Sequence, residues 1–140
     1  MASNNNIEAL IGTWEHVRSE NFEGFLKEMG VPMAIRLLAK SMSTRLVINE
    51  NNGIWTLRTE MPLKTKSISF TPGIQFQDTT PDGSEVQTVV RFEDGKWVQT
   101  LSGKNGKESM VTRFIDDQGL QQIEMTSGTV KARRWFKRVQ

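Results

Sequence analysis

Closely spaced turn dipeptides are the feature that most constrains the fold of this chain. A glycine follows a turn-forming residue at Asn52-Gly53, Pro72-Gly73, Asp82-Gly83, Asp94-Gly95, Asn105-Gly106, Gln118-Gly119 and Ser127-Gly128. After the second of these, the dipeptides recur every 9 to 13 residues. Because Asn-Gly and Asp-Gly readily adopt the positive φ angles of two-residue hairpin loops, this spacing predicts a meandering all-β sandwich or barrel.

The segments between the turns alternate between apolar and polar side chains, as strands with one buried face do. In residues 86–93, one face carries Val86, Thr88, Val90 and Phe92, and the other face is largely polar. Further strands are predicted at 13–19, 45–50, 54–60, 66–70, 74–78, 97–101, 107–115, 120–125 and 129–138, about ten in all. Thr88 is small for an apolar face, which favours an interior cavity over a solid core.

Residues 21–40 depart from this alternation and have helical spacing instead. The apolar residues of this stretch are Phe22, Phe25, Leu26, Met29, Met33, Ile35, Leu37 and Leu38. We expect Asn21 to cap a first helix, Gly30 to end it and Pro32 to suit the first turn of a second helix. The sequence therefore predicts a short helix-turn-helix between the first two strands.

Composition limits the class of protein. The chain has 140 residues and no linker, so we expect one domain over residues 1–140, with a flexible tail at 1–6. It has no cysteine and one histidine, His16, which excludes disulfides, thiolate sites and histidine-rich metal sites. Because no segment has the pattern of a secretory signal or a membrane span, we expect a cytoplasmic protein.

Four landmarks in the sequence occur in a fixed order. They are Gly12-x-Trp14 followed by Asn21-Phe22-Glu23-x-Phe25-Leu26; Met29-Gly30-Val31; Ile68-Ser69-Phe70-x-x-Gly73-x-x-Phe76-x-x-Thr79-Thr80; and Gly106-Lys107-Glu108 followed by Arg113. Together they resemble the intracellular lipid-binding proteins, the family of fatty-acid-binding and cellular retinoid-binding proteins, over residues 11–139. The resemblance implies a ten-stranded antiparallel up-and-down barrel, or β-clam, which the two helices cap and which encloses a ligand cavity.

Two arginines are candidates for holding a ligand carboxylate. In the last strand, the face with fewer charges carries Arg134, which places one guanidinium inside. Alternation along its strand does not decide whether Arg113 faces the interior. Arg113 is the second candidate because of the resemblance. The family often ends in Arg-x-Tyr, whereas this chain has Phe136 in place of the tyrosine and therefore lacks its hydroxyl. A structural ion pair or a hydrated arginine is the alternative interpretation.

Five further residues are candidates for the ligand cavity and its portal: Phe22, Ile35, Leu38, Met61 and Leu63. Ordinary core packing is the alternative for each of them. His16 stands where the family usually has a hydrophobic residue, which leaves it without a family role. Trp14, on the first strand, is expected to be core packing.

The function that we expect is that of a cytosolic, monomeric carrier for a long-chain fatty acid or a similar hydrophobic carboxylate. A retinoid or another acidic lipid is the alternative ligand. No catalytic motif, metal ligand set or phosphate-binding loop occurs, so we expect neither enzyme activity nor a cofactor nor a metal. Basic residues in and after the helices, Lys27, Arg36, Lys40 and Arg45, favour transient contact with anionic membranes.

A nucleic-acid-binding β-barrel is the alternative from a different class of protein. The last strand is basic and contains two aromatic residues, Trp135 and Phe136, a composition typical of single-strand binding surfaces. The net charge of the chain is only +2, and the basic residues of this strand lie on both of its faces. We therefore expect a solvated strand and no nucleic-acid partner.

Overall fold

The computed structural model of this chain describes residues 6–41, 44–61, 64–79, 84–103 and 108–139. Within these ranges, ten strands form a single antiparallel sheet. The strands are β1 Gly12–Glu20, β2 Arg45–Asn51, β3 Ile54–Met61, β4 Lys64–Phe70, β5 Phe76–Thr79, β6 Glu85–Glu93, β7 Lys96–Gly103, β8 Glu108–Ile115, β9 Gln121–Ser127 and β10 Val130–Arg138. Each predicted strand corresponds to one of them.

The sheet curves into a nearly closed barrel, in which the strand order is β4-β3-β2-β1-β10-β9-β8-β7-β6-β5. Sequence neighbours pair throughout, except that β1 joins β10 and that β4 and β5 are the two edges. Side chains bridge these edges: the Phe70 and Phe76 rings stack at 5.6 Å, and Lys66 Nζ lies 3.0 Å from Asp78 Oδ1. The predicted ten-stranded antiparallel barrel is confirmed.

Two hairpins have the turn geometry that their dipeptides predict. Asn52 and Gly53, between β2 and β3, have φ angles of 53° and 85°. Asp94 and Gly95, between β6 and β7, have φ angles of 53° and 76°. Consecutive positive φ angles give a turn whose twist matches that of the strands. The Asp82-Gly83 and Asn105-Gly106 dipeptides lie outside the described residues.

Two short helices, α1 (Phe22–Glu28) and α2 (Met33–Ser41), follow β1 as predicted. Gly30, with φ 88°, ends α1: its N–H donates to the Lys27 carbonyl, and the Val31 N–H donates to the Leu26 carbonyl. This bond pair is a Schellman motif, and its positive φ favours glycine. Of the predicted tail at 1–6, residues 1–5 lie outside the described residues, whereas Asn6 begins a 3₁₀ helix, Asn6–Leu10.

Asn21 corrects one detail of the predicted helix start. It occupies the N-cap position, but its side chain makes no capping hydrogen bond. Instead, Asn21 Nδ2 donates to the Lys131 carbonyl of β10 at 2.8 Å. The side-chain amide therefore fastens the start of α1 to the barrel instead of satisfying the first helical N–H groups.

Aromatic side chains fill one part of the barrel. Trp97 is fully buried and makes edge contacts with Trp55 and Phe70 at 6.1 and 5.0 Å. Trp14 is also fully buried, and its indole N–H donates to the Leu10 carbonyl, as core packing requires. Thr88 is also buried, and its hydroxyl accepts a hydrogen bond from Gln99 Nε2 at 3.2 Å.

Candidate functional site

The inward face of β10 carries Arg134 between two buried residues. Ala132 and Phe136 occupy the same face, and Phe136 is fully buried. Arg134 is the register partner of Ser19 in β1 and of Ile123 in β9. Alternation along the strand thus brings the guanidinium to the interior, as the sequence predicted.

Arg134 is held by two hydroxyl groups and two aromatic rings. Its Nε donates to Ser19 Oγ at 3.0 Å, and its Nη2 lies 3.4 Å from Thr44 Oγ1. The guanidinium carbon lies 4.0 Å from the centre of the Phe22 ring and 5.1 Å from that of Phe136. Burial lowers the pKa of Arg134 well below its ordinary value, to about 10, so the group remains a cation at neutral pH.

A pocket of about 700 Å³, partly open to solvent, lies between the helices and strands β1 and β10. We call it the lid pocket. It is lined by His16, Ser19, Asn21, Phe22, Glu23, Gly24, Lys27, Met33, Arg36 and Arg134. The lining is therefore mostly polar and charged, with Phe22 and Met33 as its apolar side chains and the Arg134 guanidinium against the Phe22 ring.

Arg113 lies deeper, on the face of β8 that also carries Val111 and Ile115, both of which pack against the core. Its Nη1 donates to Gln121 Oε1 across a long 3.4 Å, and its Nε has no hydrogen-bond partner among the described residues. Burial first, and then the positive charge of Arg134, lower the pKa of Arg113 well below its ordinary value, to about 10. Arg113 is therefore a buried cation whose guanidinium has few hydrogen-bond acceptors within the protein.

A second pocket of about 170 Å³ borders Arg113. We call it the inner pocket. Its lining comes from five strands and consists of Leu57, Thr59, Lys66, Ile68, Asp78, Gln99, Leu101, Val111 and Arg113. Asp78 and Lys66 form an ion pair with each other, and in the described part of the chain neither Arg113 nor Arg134 forms one.

The other predicted site residues are spread more widely. Phe22 lines the lid pocket, and Phe136 is buried next to Arg134 without lining either pocket. Ile35 is 44% exposed, and Met61 is partly buried at the end of β3; neither lines the lid pocket or the inner pocket. The side chain of Leu38 and all of Leu63 lie outside the described residues.

Arg36 corrects the prediction of a basic membrane-facing surface. Its side chain is only 11% exposed and points into the lid pocket. Its Nη1 donates to the Val31 carbonyl at 2.7 Å, and its Nε lies 3.9 Å from a Glu23 carboxylate oxygen. Helical periodicity places Arg36 on α2 but does not show that its side chain folds back beneath the helix.

Sequence reasoning did not assign a role to His16, and the structure places it at the site. Its Nε2 lies 2.7 Å from Ser19 Oγ, and its ring meets the Phe136 ring edge-on at 5.5 Å. Burial first, and then Arg134, lower the pKa of His16 below 6.5, although a backbone hydrogen bond with Arg18 opposes them. The sequence carried one signal for this position. His16 lies two residues after the buried Trp14, so both side chains lie on the inward face of β1.

Across the described ranges, no group of three or more histidine or acidic side chains could hold a metal ion. No helix in the part of the chain that the structure describes is long and apolar enough to cross a membrane.

Comparison with known proteins identifies the family. Residues 11–137 match the model of the lipocalin / cytosolic fatty-acid binding protein family. Fatty acid-binding protein homolog 6 of Caenorhabditis elegans is 35% identical over 133 residues, which cover 94% of this chain and 98% of the relative. Fatty acid-binding protein 5 of Homo sapiens is 35% identical over 134 residues, which cover 96% and 98%.

A solved structure agrees with these sequence relatives. The Schistosoma mansoni fatty acid binding protein in complex with arachidonic acid is 26% identical and has a TM-score of 0.89. The alignment covers 96% of this chain and 99% of that chain. The chain therefore belongs to the lipocalin / cytosolic fatty-acid binding protein family, whose members are lipid-binding carriers and not enzymes.

Proposed function

We propose that this protein is a single-domain, monomeric, cytoplasmic carrier that binds a long-chain fatty acid in the barrel. The observation that carries the proposal is the pair of buried guanidiniums, Arg113 and Arg134, for which the described residues supply no carboxylate. Burying an unpaired ion costs several kcal/mol even after relaxation. A ligand carboxylate offsets this cost, because guanidinium and carboxylate match in both charge and geometry.

The two pockets provide apolar surface for the rest of the ligand. Phe22 and Met33 line the lid pocket, and Leu57, Ile68 and Leu101 line the inner pocket. Burial of each methylene group contributes about 0.8 kcal/mol, so a long acyl chain supplies most of the affinity. The arginines then set the orientation and the preference for an acid over a neutral lipid.

The test compares oleate with methyl oleate and oleyl alcohol, which share its chain but lack its charge. Displacement of a fluorescent fatty acid would give the three affinities for wild type, Arg113→Gln and Arg134→Gln. Since a hydrogen bond to a charged group contributes about 1.5 to 3 kcal/mol, each change should weaken oleate about tenfold to a hundredfold and alter the neutral ligands little.

Arg133→Gln is the matched control, because Arg133 adjoins Arg134 in the chain but faces outward. There it lies 3.6 Å from Glu124 in an exposed ion pair. It should leave all three affinities unchanged. If Arg113→Gln and Arg134→Gln weaken acid, ester and alcohol equally, the arginines are structural and the carboxylate mechanism is wrong. Retinoic acid measured in the same assay tests the alternative ligand class.

We also propose transient contact with anionic membranes through the helices. Lys27 of α1 is exposed, and Met33 and Leu37 of α2 are 63% and 52% exposed. Of the other cations predicted for this surface, Arg36 points inward, Arg45 pairs with Glu15 at 2.9 Å, and the side chain of Lys40 lies outside the described residues. The proposal therefore rests mainly on Lys27 and the apolar side chains of α2.

Vesicle transfer kinetics test this contact. Lys27→Glu should slow oleate transfer to vesicles that contain phosphatidylserine more than transfer to vesicles of phosphatidylcholine alone. Because Lys27 also lines the lid pocket, the equilibrium affinity for oleate is measured alongside. Lys137→Glu is the control, since Lys137 is exposed on the barrel, away from the helices. Equal transfer rates for wild type and Lys27→Glu would contradict membrane contact through α1.

We propose that nucleic acid is not a partner. Arg133 on the outer face of β10 is paired with Glu124, and Trp135 is buried beneath the Arg18 guanidinium, which lies 3.7 Å from its ring centre. The aromatic ring that would stack on a base is therefore covered. Titration with a single-stranded oligonucleotide should show no binding at physiological salt.

A further inference from the structure

Phe136, which lacks the hydroxyl of a tyrosine, packs against the imidazole of His16. Phe136 and His16 are cross-strand partners on β10 and β1, and their rings are 5.5 Å apart. On its other side, Phe136 lies 5.1 Å from the Arg134 guanidinium carbon. A polar side chain of β1 and the Arg134 guanidinium therefore both lie close to the Phe136 ring.

Ser19 connects His16 to Arg134. The Ser19 hydroxyl oxygen accepts a hydrogen bond from Arg134 Nε at 3.0 Å and lies 2.7 Å from His16 Nε2. Since Arg134 can only donate, the Ser19 proton is available to His16, and neutral His16 accepts it at Nε2. The three side chains form a continuous hydrogen-bonded chain along one wall of the lid pocket.

We propose that His16 and Ser19 complete the carboxylate site beside Arg134 and take the place of a hydroxyl at position 136. This inference rests on the proposed function, because it assigns two further residues to the same ligand headgroup. It makes His16 a binding residue that departs from the usual hydrophobic residue at this position.

The hydrogen-bonded chain makes the site sensitive to protons. While His16 is neutral, the Ser19 O–H is directed to His16 and away from the pocket. When His16 is protonated, Nε2–H donates to the Ser19 oxygen instead, and the Ser19 proton can turn towards a carboxylate in the lid pocket. An anionic headgroup should therefore raise the His16 pKa, and by linkage its affinity should increase as the pH falls.

Other charged groups face the same space. Arg134 approaches from β10, Glu23 and Lys27 from α1, and Arg36 from α2. On β1 itself, Arg18 contacts His16 through its backbone. These groups are unchanged when His16 is replaced, so the difference between wild type and a His16 variant isolates the imidazole.

The Glu15 carboxylate, next to His16 on β1, is paired with Arg45 of β2. Both side chains are substantially exposed. They are likewise common to wild type and the His16 variant.

The experiment uses the fact that His16 is the single histidine of the chain. Its imidazole resonances therefore need no assignment, and NMR titration gives the His16 pKa directly in delipidated protein, with oleate and with oleyl alcohol. We expect oleate to raise this pKa and oleyl alcohol to leave it unchanged. Ser19→Ala, which removes the connecting hydroxyl, should reduce the oleate-induced shift.

Affinity measurements provide the second readout. Wild type should bind oleate at least about threefold more tightly at pH 5.5 than at pH 7.5, beyond any change seen in His16→Leu. If oleate binds but leaves the His16 titration unchanged, the inference is wrong while the proposed function stands. If oleate and oleyl alcohol bind equally well, the proposed function fails and the inference fails with it. Should His16→Leu not fold, the wild-type titration alone decides.

Discussion

Arg134 and Arg113 both lie inside the barrel, but they differ in the contacts that the protein makes with their guanidinium groups. Arg134 has hydroxyl partners at Ser19 and Thr44 and lies against Phe22, next to the helices. Arg113 has one long hydrogen bond to Gln121 and an unpaired Nε, deep among the strands. The first guanidinium is held in place by the protein itself, whereas the second is left for something else to satisfy.

The difference distinguishes a guanidinium that is positioned before the ligand arrives from one that gains free energy when the ligand arrives. Hydroxyl partners and ring contacts hold Arg134 in one orientation before a ligand arrives, which reduces the ordering that binding requires. Arg113 keeps a donor free at a cost to folding, and that cost is recovered when an anion or ordered water reaches it. We therefore propose that the lid pocket orients the ligand headgroup, whereas Arg113 in the inner pocket gains the larger free energy from an anionic partner.

The largest effect that we expect concerns stability without ligand. Burial first, and then the charge of Arg134, lower the pKa of Arg113 to about 10, which corresponds to about 3 kcal/mol of unfavourable free energy for its charged form. Arg113→Met should therefore stabilise delipidated protein by up to about 3 kcal/mol. Arg134→Met should gain less, because it leaves Ser19 and Thr44 without their partner.

Urea unfolding of the delipidated variants measures both free energies of unfolding. Arg133→Met, at the exposed neighbouring position, should change the free energy of unfolding little and controls for the substitution itself. Equal stabilisation by Arg113→Met and Arg134→Met would show that the hydrogen bonds of Arg134 contribute nothing and would remove the proposed contrast.

The second effect concerns the ion pair at the barrel edges. Asp78, whose side chain is 12% exposed, is paired with Lys66, and both line the inner pocket with Arg113. Lys66→Met leaves Asp78 without its partner, so we expect its carboxylate to turn to Arg113 and to compete with the ligand. Oleate affinity should fall about tenfold, which corresponds to about 1.4 kcal/mol.

The double variant Lys66→Met/Asp78→Asn is the control, since it removes the competing carboxylate as well. It should recover most of the affinity for oleate in the displacement assay. If the single and double variants bind oleate equally weakly, the ion pair acts by holding β4 and β5 together and not through Arg113.

The barrel could be predicted from the sequence because hairpin turns and two-residue alternation are local features. Asn52-Gly53 and Asp94-Gly95 adopt the positive φ angles expected for them. Arg134 was predictable for the same reason, since its strand has one clearly less charged face. Arg113 was not, because both faces of its strand carry apolar residues, and only packing against Trp97 and Ile123 distinguishes them.

The proposed headgroup site was harder to predict because it joins residues near the two ends of the chain. His16 and Ser19 meet Phe136 and Arg134 only after β1 pairs with β10. The register also shifts between His16 and Arg18, so a regular ladder would not give the correct partners beyond the shift. Long-range pairing and an irregular register are not visible in local periodicity.

A third and smaller effect concerns the attachment of the helices to the barrel. A Cβ at Gly24 would lie 2.3 Å from Asn21 Oδ1, so the amide would have to move. Gly24→Ala should therefore break the Asn21 hydrogen bond to the Lys131 carbonyl, at a cost of about 1 kcal/mol, which cancels the usual helical gain from alanine.

Ligand exchange is the informative measurement for Gly24→Ala. Its lid pocket should open more readily, so oleate should dissociate faster, while the free energy of unfolding changes little. Asn21→Ala should reproduce the faster dissociation because it removes the same hydrogen bond. Unchanged dissociation in both variants would show that this hydrogen bond does not control access to the lid pocket.

The smallest effect is a pH dependence that reports which arginine faces His16. Burial and Arg134 lower the pKa of His16 in the folded protein, whereas in the unfolded chain it titrates near 6.5. As the pH falls below 6.5, the unfolded state takes up a proton first, so stability decreases until the pH passes the folded pKa. His16→Leu should remove this part of the pH dependence in urea unfolding.

The variants Arg134→Met and Arg113→Met then test which of the two arginines acts on the His16 imidazole. Arg134→Met removes the positive charge that disfavours protonated His16, so the His16 pKa should rise towards 6.5 and the acid sensitivity of stability should decrease. Arg113→Met should leave the His16 pKa nearly unchanged, because Arg113 is not among the groups that lower it. NMR titration of the single histidine in both variants measures this. Equal shifts in the two variants would mean that both arginines act on His16 alike, and that the lid pocket and the inner pocket form one electrostatic site.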